Sequence, residues 1–186
     1  MFTYRIDEEV SLKLPEQKDA ERVLELINRS RKSLQEWLGW VIHTNSLKDM
    51  ISFIDKCRSD FAANKSLVTF IVYRNQIVGT ISFNEIDRIN QLAYIGYWLD
   101  SNYEGNGIMT RAVKGLMNYG FNELALNRID IRAAVKNLKS RAIPERLGFR
   151  QEGVIRQAEK LQQGYVDHAV YGMLKEEWYK QLENKL

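Results

Sequence analysis

Tyr97-Trp98-Leu99-Asp100-Ser101-Asn102-Tyr103-Glu104-Gly105-Asn106-Gly107-Ile108-Met109-Thr110 reads as an apolar strand end, a polar turn and the opening of a helix. Glycine has no Cβ, so Gly105 and Gly107 let backbone N–H groups close on an anion at a helix N-terminus, where the helix dipole also favours negative charge. A pyrophosphate-bearing ligand is the first chemistry this implies. Strand-to-helix turns also use glycine for steric reasons alone, so the surrounding residues must discriminate. They count against two nucleotide motifs. A dinucleotide fingerprint sits in a first strand–helix unit and has a third glycine where Thr110 stands. A Walker loop needs Lys-Ser/Thr directly after its last glycine, where Ile108-Met109 stand here.

Upstream, the apolar runs Leu67 to Tyr73, Ile77 to Phe83 and Leu92 to Leu99 predict an antiparallel meander, joined at Asn75-Gln76 and across the polar stretch Asp87-Arg88-Ile89-Asn90. Val10, Leu12 and Leu14 alternate as a strand that Pro15 stops. Ala20, Val23, Leu24 and Ile27 follow at helical spacing, and Leu34, Trp37, Leu38 and Val41 repeat it. A third helix from about Ser46 would bury Ile51, Ile54, Cys57 and Phe61. Downstream of the glycines, Ile108, Ala112, Leu116 and Tyr119, widened by Val113 and Met117, mark another helix. Strand Ile129 to Val135, a helix from Leu138 to about Leu147, strands Phe149 to Ala158 and Val166 to Leu174, and a short helix from Lys175 complete the order. A mixed α/β (α+β) sheet with helices on both faces follows, and its two late crossovers through helices call for parallel neighbours.

With 186 residues and 45% hydrophobic content, residues 1–186 are expected to form a single domain burying roughly two-thirds of the surface of its unfolded chain. Cys57 is the only cysteine, which excludes an internal disulfide and a cysteine-cluster metal site; its place on an apolar helical stripe reads as packing. No metal is expected. Met1 to Asp7 lacks an apolar core behind a basic start, and no stretch approaches bilayer length, so the expectation is a soluble cytoplasmic protein. A net charge of +3 is small beside 27 basic and 24 acidic residues, so neither nucleic acid nor a membrane is demanded as partner.

Three segments together resemble the GNAT superfamily of acyl-coenzyme A-dependent N-acetyltransferases. They are Ile95-Gly96-Tyr97-Trp98-Leu99-Asp100 leading to Gly105-Asn106-Gly107-Ile108-Met109-Thr110, then Asn137-Leu138-Lys139-Ser140 with Leu147-Gly148-Phe149, then Gly153 with Gln157-Ala158-Glu159. The likeness runs from about Val10 to Trp178 and is strongest to the Rim group, which acetylates amino termini of ribosomal proteins. Trp37-Leu38-Gly39-Trp40 resembles that group's substrate-side segment. The resemblance implies a GNAT-type sheet of about seven strands, mostly antiparallel with a parallel central pair. Three positions depart from the pattern. Asn102 stands where the superfamily usually has Gln or Arg, and Tyr94 where close relatives often carry an acid. Pro144 lies inside the helix after Asn137, where it removes the hydrogen bond to the Ser140 carbonyl and predicts a local kink.

By the same resemblance, acetyl-CoA is the co-substrate. Backbone groups of Tyr97, Trp98 and Leu99 would meet its pantetheine arm and thioester. The turn from Asn102 through Gly105, Asn106, Gly107, Ile108 and Met109 to Thr110 would hold the pyrophosphate, with Asn137 close by. Arg111, Lys136 or Lys139 would reach the remaining phosphate. Ser140 is the candidate acid for the departing thiolate, although a serine in a first helical turn also serves backbone groups. Glu159 is the candidate base, with Glu85 and His168 in reserve. Trp37, Trp40 and Glu85 would line the acceptor side. The resemblance implies a protein N-terminus as acceptor and a homodimeric enzyme. A small polyamine or antibiotic amine, and a non-catalytic acyl-CoA sensor, are the alternatives.

Overall fold

Strands buried on both faces build the meander at the centre of the computed structural model, which describes residues 3–184. β3 (Leu67–Tyr73), β4 (Gln76–Asp87) and β5 (Leu92–Leu99) are each antiparallel to the next. The first turn falls on Arg74 and Asn75, whose φ of 47° and 66° give the left-handed pair that a two-residue hairpin needs, one position before the expected Asn75-Gln76. β4 also runs beyond Phe83. A bulge at Asn84 leaves Phe83 opposite Ile95 and Glu85 opposite Tyr94, so pairing continues to Asp87.

β2 (Val10–Lys13) lies antiparallel to β3, and β1 (Thr3–Arg5) adds an eighth strand beside β2 where about seven were expected. On the other side, β5 leads through α3 (Ile108–Asn122) to β6 (Arg128–Ala134), and β5 and β6 form the parallel central pair. The second crossover, α4 (Leu138–Arg146), leads to β7 (Arg150–Leu161), but β6 and β7 are not neighbours. β8 (Gly164–Leu174) folds back between them and pairs antiparallel with both, giving the order β1-β2-β3-β4-β5-β6-β8-β7. Only the first crossover therefore joins parallel neighbours, which matches the single parallel central pair implied by the resemblance, because a tight hairpin lets β8 close both ladders.

α1 (Ala20–Leu34) and α2 (Leu47–Ala62) cover one face, packing Val23, Leu26, Ile27, Met50 and Ile54 against Phe70 and Trp98. α3 and α5 (Lys175–Glu183) cover the other, with Ala112, Leu116 and Trp178 against Ile81, Phe83, Ile95 and Ile131. Ser46 caps α2 by accepting the Asp49 N–H at 3.2 Å, an interaction of about 1 kcal/mol. The buried stripe of α2 is Met50, Ile54 and Cys57, while Phe61 keeps 40% of its surface exposed. Burial pushes the Cys57 thiol up to about 12. The helical spacing through Trp37 and Val41 does not make a longer helix. α1 ends at Leu34, Leu38 is extended, and Gly39–His43 forms a short 3-10 turn.

Candidate active site

Parallel pairing of β5 with β6 stops at Ile95 and Ile131, whereas β5 stays paired with β4 up to Leu99. Alternate backbone N–H and C=O groups between Gly96 and Leu99 therefore have no strand partner on the β6 side, which leaves a seam that an extended amide-bearing chain can complete. At its end Asp100 is fully buried. It pairs with Arg29 and accepts bonds from the Ser30 hydroxyl at 3.0 Å and the Asn102 N–H at 3.2 Å. Burial alone raises its pKa, but these donors outweigh burial and hold the carboxyl below its usual value.

Beyond Asp100, Gly105 and Gly107 adopt left-handed φ values of 79° and 69°. A Cβ at either would meet nothing within 4 Å, so the backbone conformation and not crowding by this chain calls for glycine. The Asn106 side-chain amide donates to the Tyr103 and Glu104 carbonyls at 3.2 and 3.1 Å and braces the turn. No side chain caps α3, and its first turn contains no acidic residue. The N–H groups of Ile108, Met109 and Thr110 thus form an open, electropositive helix end of the kind a diphosphate fits.

Of the cations expected near that anion site, Arg111 is held by Asp7 and Glu9, each at 3.1 Å, and Lys139 by Glu104 at 2.6 Å. Lys136 is exposed. Arg146, which sequence reasoning missed, donates to the Thr110 hydroxyl at 2.9 Å and so stands over the mouth of the turn. Only the docking of α4 against α3 brings these two together, and nothing local in the sequence signals it.

On α4, Asn137 accepts the Ser140 N–H at 3.2 Å. The Ser140 carbonyl accepts the Tyr97 hydroxyl proton at 2.8 Å. No break appears at Pro144, and the helix runs from Leu138 to Arg146 with this proline buried inside it. The Ser140 hydroxyl itself has no bond to the described residues.

On the opposite sheet face, a pocket of about 270 Å³ is lined by residues that include Trp40, Phe53, Ser82, Asn84, Tyr97 and Trp98. Trp40 and Trp98 have ring centroids 6.3 Å apart, and Trp40 and Phe53 remain 40% and 41% exposed. Of the expected acceptor residues, Trp40 lines this pocket, whereas Trp37 and Glu85 do not. The bulge gives the place beside Gly96 to Asn84, and a Cβ at residue 96 would come within 2.4 Å of the Asn84 Nδ2. Phe53 escaped the sequence reading, although its position off the apolar stripe of α2 was the available signal.

Glu159 follows a second irregularity, between Ile155 and Glu159, where Gln157 takes a φ of 50° and its N–H donates to Asp167 at 2.7 Å. The extra residues leave the Glu159 carboxylate 3.1 Å from His168 Nε2, so the candidate base and its reserve form one pair. A Cβ at residue 39 would lie 3.8 Å from Glu159 Oε1, which places this carboxylate beside the segment from Trp37 to Trp40. The β7–β8 hairpin is tied to the same segment by the Gln163 side-chain amide, which donates to the Glu36 carbonyl at 2.8 Å.

The family model for the acetyltransferase (GNAT) domain matches residues 9–150. YdaF of Bacillus subtilis (strain 168), whose name assigns it provisionally to ribosomal N-acetylation, is 38% identical over 179 residues, covering 96% of this chain and 98% of YdaF. Two solved structures are similar over nearly the whole chain. The microcin C7 self-immunity acetyltransferase MccE, in complex with acetyl-CoA and AMP, gives a TM-score of 0.87 at 36% identity, over 91% of this chain and 94% of MccE. RimL, the ribosomal L7/L12 α-N-protein acetyltransferase, in complex with coenzyme A, gives 0.90 at 27% identity, over 93% and 98%.

Proposed function

The chain belongs to the GNAT acetyltransferases and is an acetyl-CoA-dependent N-acetyltransferase; on that premise we propose that its acceptor is the α-amino group of a protein N-terminus, foremost of a ribosomal protein, attacked directly in a ternary complex. The observation that carries this reading is the Glu159 carboxylate, set beside the Trp37 to Trp40 segment and paired with His168. An α-amino group has a reference pKa of about 8 against about 10.4 for lysine, so a modest carboxylate base suffices near neutrality.

Acetyl-CoA supplies the thioester carbon that the amine attacks. The open end of α3 binds its diphosphate, and the seam beside β5 aligns the arm that carries the acetyl group. The neutral amine attacks, and Glu159, directly or through a water, takes the one proton that nitrogen loses as the N–C bond forms and passes it to solvent. As the C–S bond breaks, the Ser140 hydroxyl donates a proton to the thiolate sulfur and regains one from solvent. Unpaired N–H groups of β5 stabilise charge developing on the thioester oxygen.

A second acceptor class is favoured by Trp40 and Phe53, two exposed rings on one pocket. Aromatic rings stack on nucleobases for about 1–3 kcal/mol per base, and the similar MccE was solved with AMP. An amine linked to a nucleotide is therefore the small-molecule alternative. The experiment that separates the two incubates the protein and acetyl-CoA with ribosomal proteins, their N-terminal peptides, polyamines and aminoacyl nucleotides, then locates the added acetyl mass. Acetylation at peptide α-amines supports the proposal, and turnover confined to small amines refutes it.

A further inference from the structure

Pro144 has no N–H, so the Ser140 carbonyl four residues earlier lacks the donor that an α-helix normally provides. A carbonyl left unmatched in a half-buried first turn would let that turn tilt or fray. The Tyr97 hydroxyl fills the vacancy at 2.8 Å. Tyr97 stands on β5 two residues beyond the last parallel pair, where the sheet has already parted. Its ring therefore crosses from the strand beside the seam to the helix that bears the candidate acid. Burial raises the Tyr97 pKa, so the group stays a protonated donor. Asn137 holds the Ser140 N–H from the other side. Both backbone groups of Ser140 are thus fixed by side chains, and only its hydroxyl is left to act.

We propose that Tyr97 is a positioning residue, whose side-chain hydroxyl replaces the helical hydrogen bond that Pro144 deletes and thereby aims Ser140 at the seam between β5 and β6. The proposal rests on Ser140 as the proton donor to the thiolate. Tyr97→Phe keeps the ring and removes only the donor. A neutral hydrogen bond contributes about 0.5–1.5 kcal/mol, so kcat should fall by about 2- to 12-fold, with the KM for acetyl-CoA changing less than about twofold. In a Ser140→Ala background the same change should cost almost nothing further in kcat, because the group it aims is gone. Pro144→Ala added to Tyr97→Phe restores an N–H to the Ser140 carbonyl and should recover part of the lost turnover.

Amide hydrogen exchange across α4 gives an independent readout, with faster exchange of the first turn expected in Tyr97→Phe and slower exchange once Pro144→Ala is added. Equal losses from Tyr97→Phe with and without Ser140, or unchanged exchange in α4, overturn the positioning role. If Ser140→Ala alone leaves kcat intact, the acid assignment fails, and the positioning role for catalysis falls with it even where the exchange data confirm the hydrogen bond.

Discussion

Gly107→Ala separates what the glycine turn does for the protein from what it does for its ligand. Residue 107 has a φ of 69°, and a methyl group there would touch nothing of the chain within 4 Å. The folded protein then bears only the left-handed penalty for an L-residue, about 1–2 kcal/mol. For a domain of this size that corresponds to a fall in Tm of about 2–8 °C. The penalty is carried alike by the free and the loaded protein, so it cancels from the dissociation constant of acetyl-CoA. Any change in Kd reports the approach of the ligand itself. If the diphosphate sits against the N–H groups opening α3, the methyl displaces at least one charged hydrogen bond, which contributes about 1.5–3 kcal/mol. Kd should rise about 10- to 150-fold. Calorimetric titration of acetyl-CoA, run beside a thermal melt, measures both quantities. A lower Tm with Kd unchanged within twofold would show that glycine serves only the backbone turn, and the anion site would have to lie elsewhere.

Ser140→Ala is expected to lower kcat by tenfold or more, on the order expected for general-acid catalysis, with little change in acetyl-CoA affinity; steady-state kinetics beside calorimetry check this. Glu159→Gln should lower kcat/KM by tenfold or more at neutral pH while the fold stays intact by circular dichroism, and an unaltered kcat/KM would remove Glu159 as base. Asp100→Asn tests the root of the turn. Because the native Asp100 pKa is depressed, its contribution is present above the unfolded value of about 3.9 and is lost as pH falls through the lower native value. The variant should lose about 1–2 kcal/mol at pH 7, discounted for the partly exposed Arg29, and the gap between the two urea midpoints should narrow below about pH 4.

The meander, the glycine turn and the alternation of strands with helices were legible because each leaves a local mark. Apolar period, turn residues and the missing Cβ of Gly105 and Gly107 act over a few positions. β1 left none, since Thr3, Tyr4 and Arg5 are all exposed and show no alternation. Trp37, Leu38 and Val41 mimicked a helix although α1 ends at Leu34 and Leu38 is extended, since apolar spacing over so few residues does not report the backbone that carries it. The insertion of β8 between β6 and β7 is set by long-range pairing, which element order alone leaves open. The site divides in the same way. Pro144 announced a carbonyl without a partner, but its donor lies 43 residues away, and only the assembled sheet brings Tyr97 to it. Bulges at Asn84 and before Glu159 re-aim side chains by inserting residues opposite a partner strand, so Asn84 and not Glu85 reaches the pocket.

The grip of α1 on Asp100 has a mechanical consequence. Arg29 and Ser30 clamp the strand end that leads into the glycine turn, and four residues after Ser30 the same helix ends and leads the chain to Trp40 on the aromatic pocket. One rigid rod thus connects the glycine turn with the aromatic pocket. A sideways shift of the pocket wall that bends this rod strains a buried carboxylate, and one that carries the rod along drags the glycine turn with it. On the proposed placement of the two substrates, both are gauged against a common rule, and widening the aromatic pocket by mutation should loosen the hold on acetyl-CoA as well.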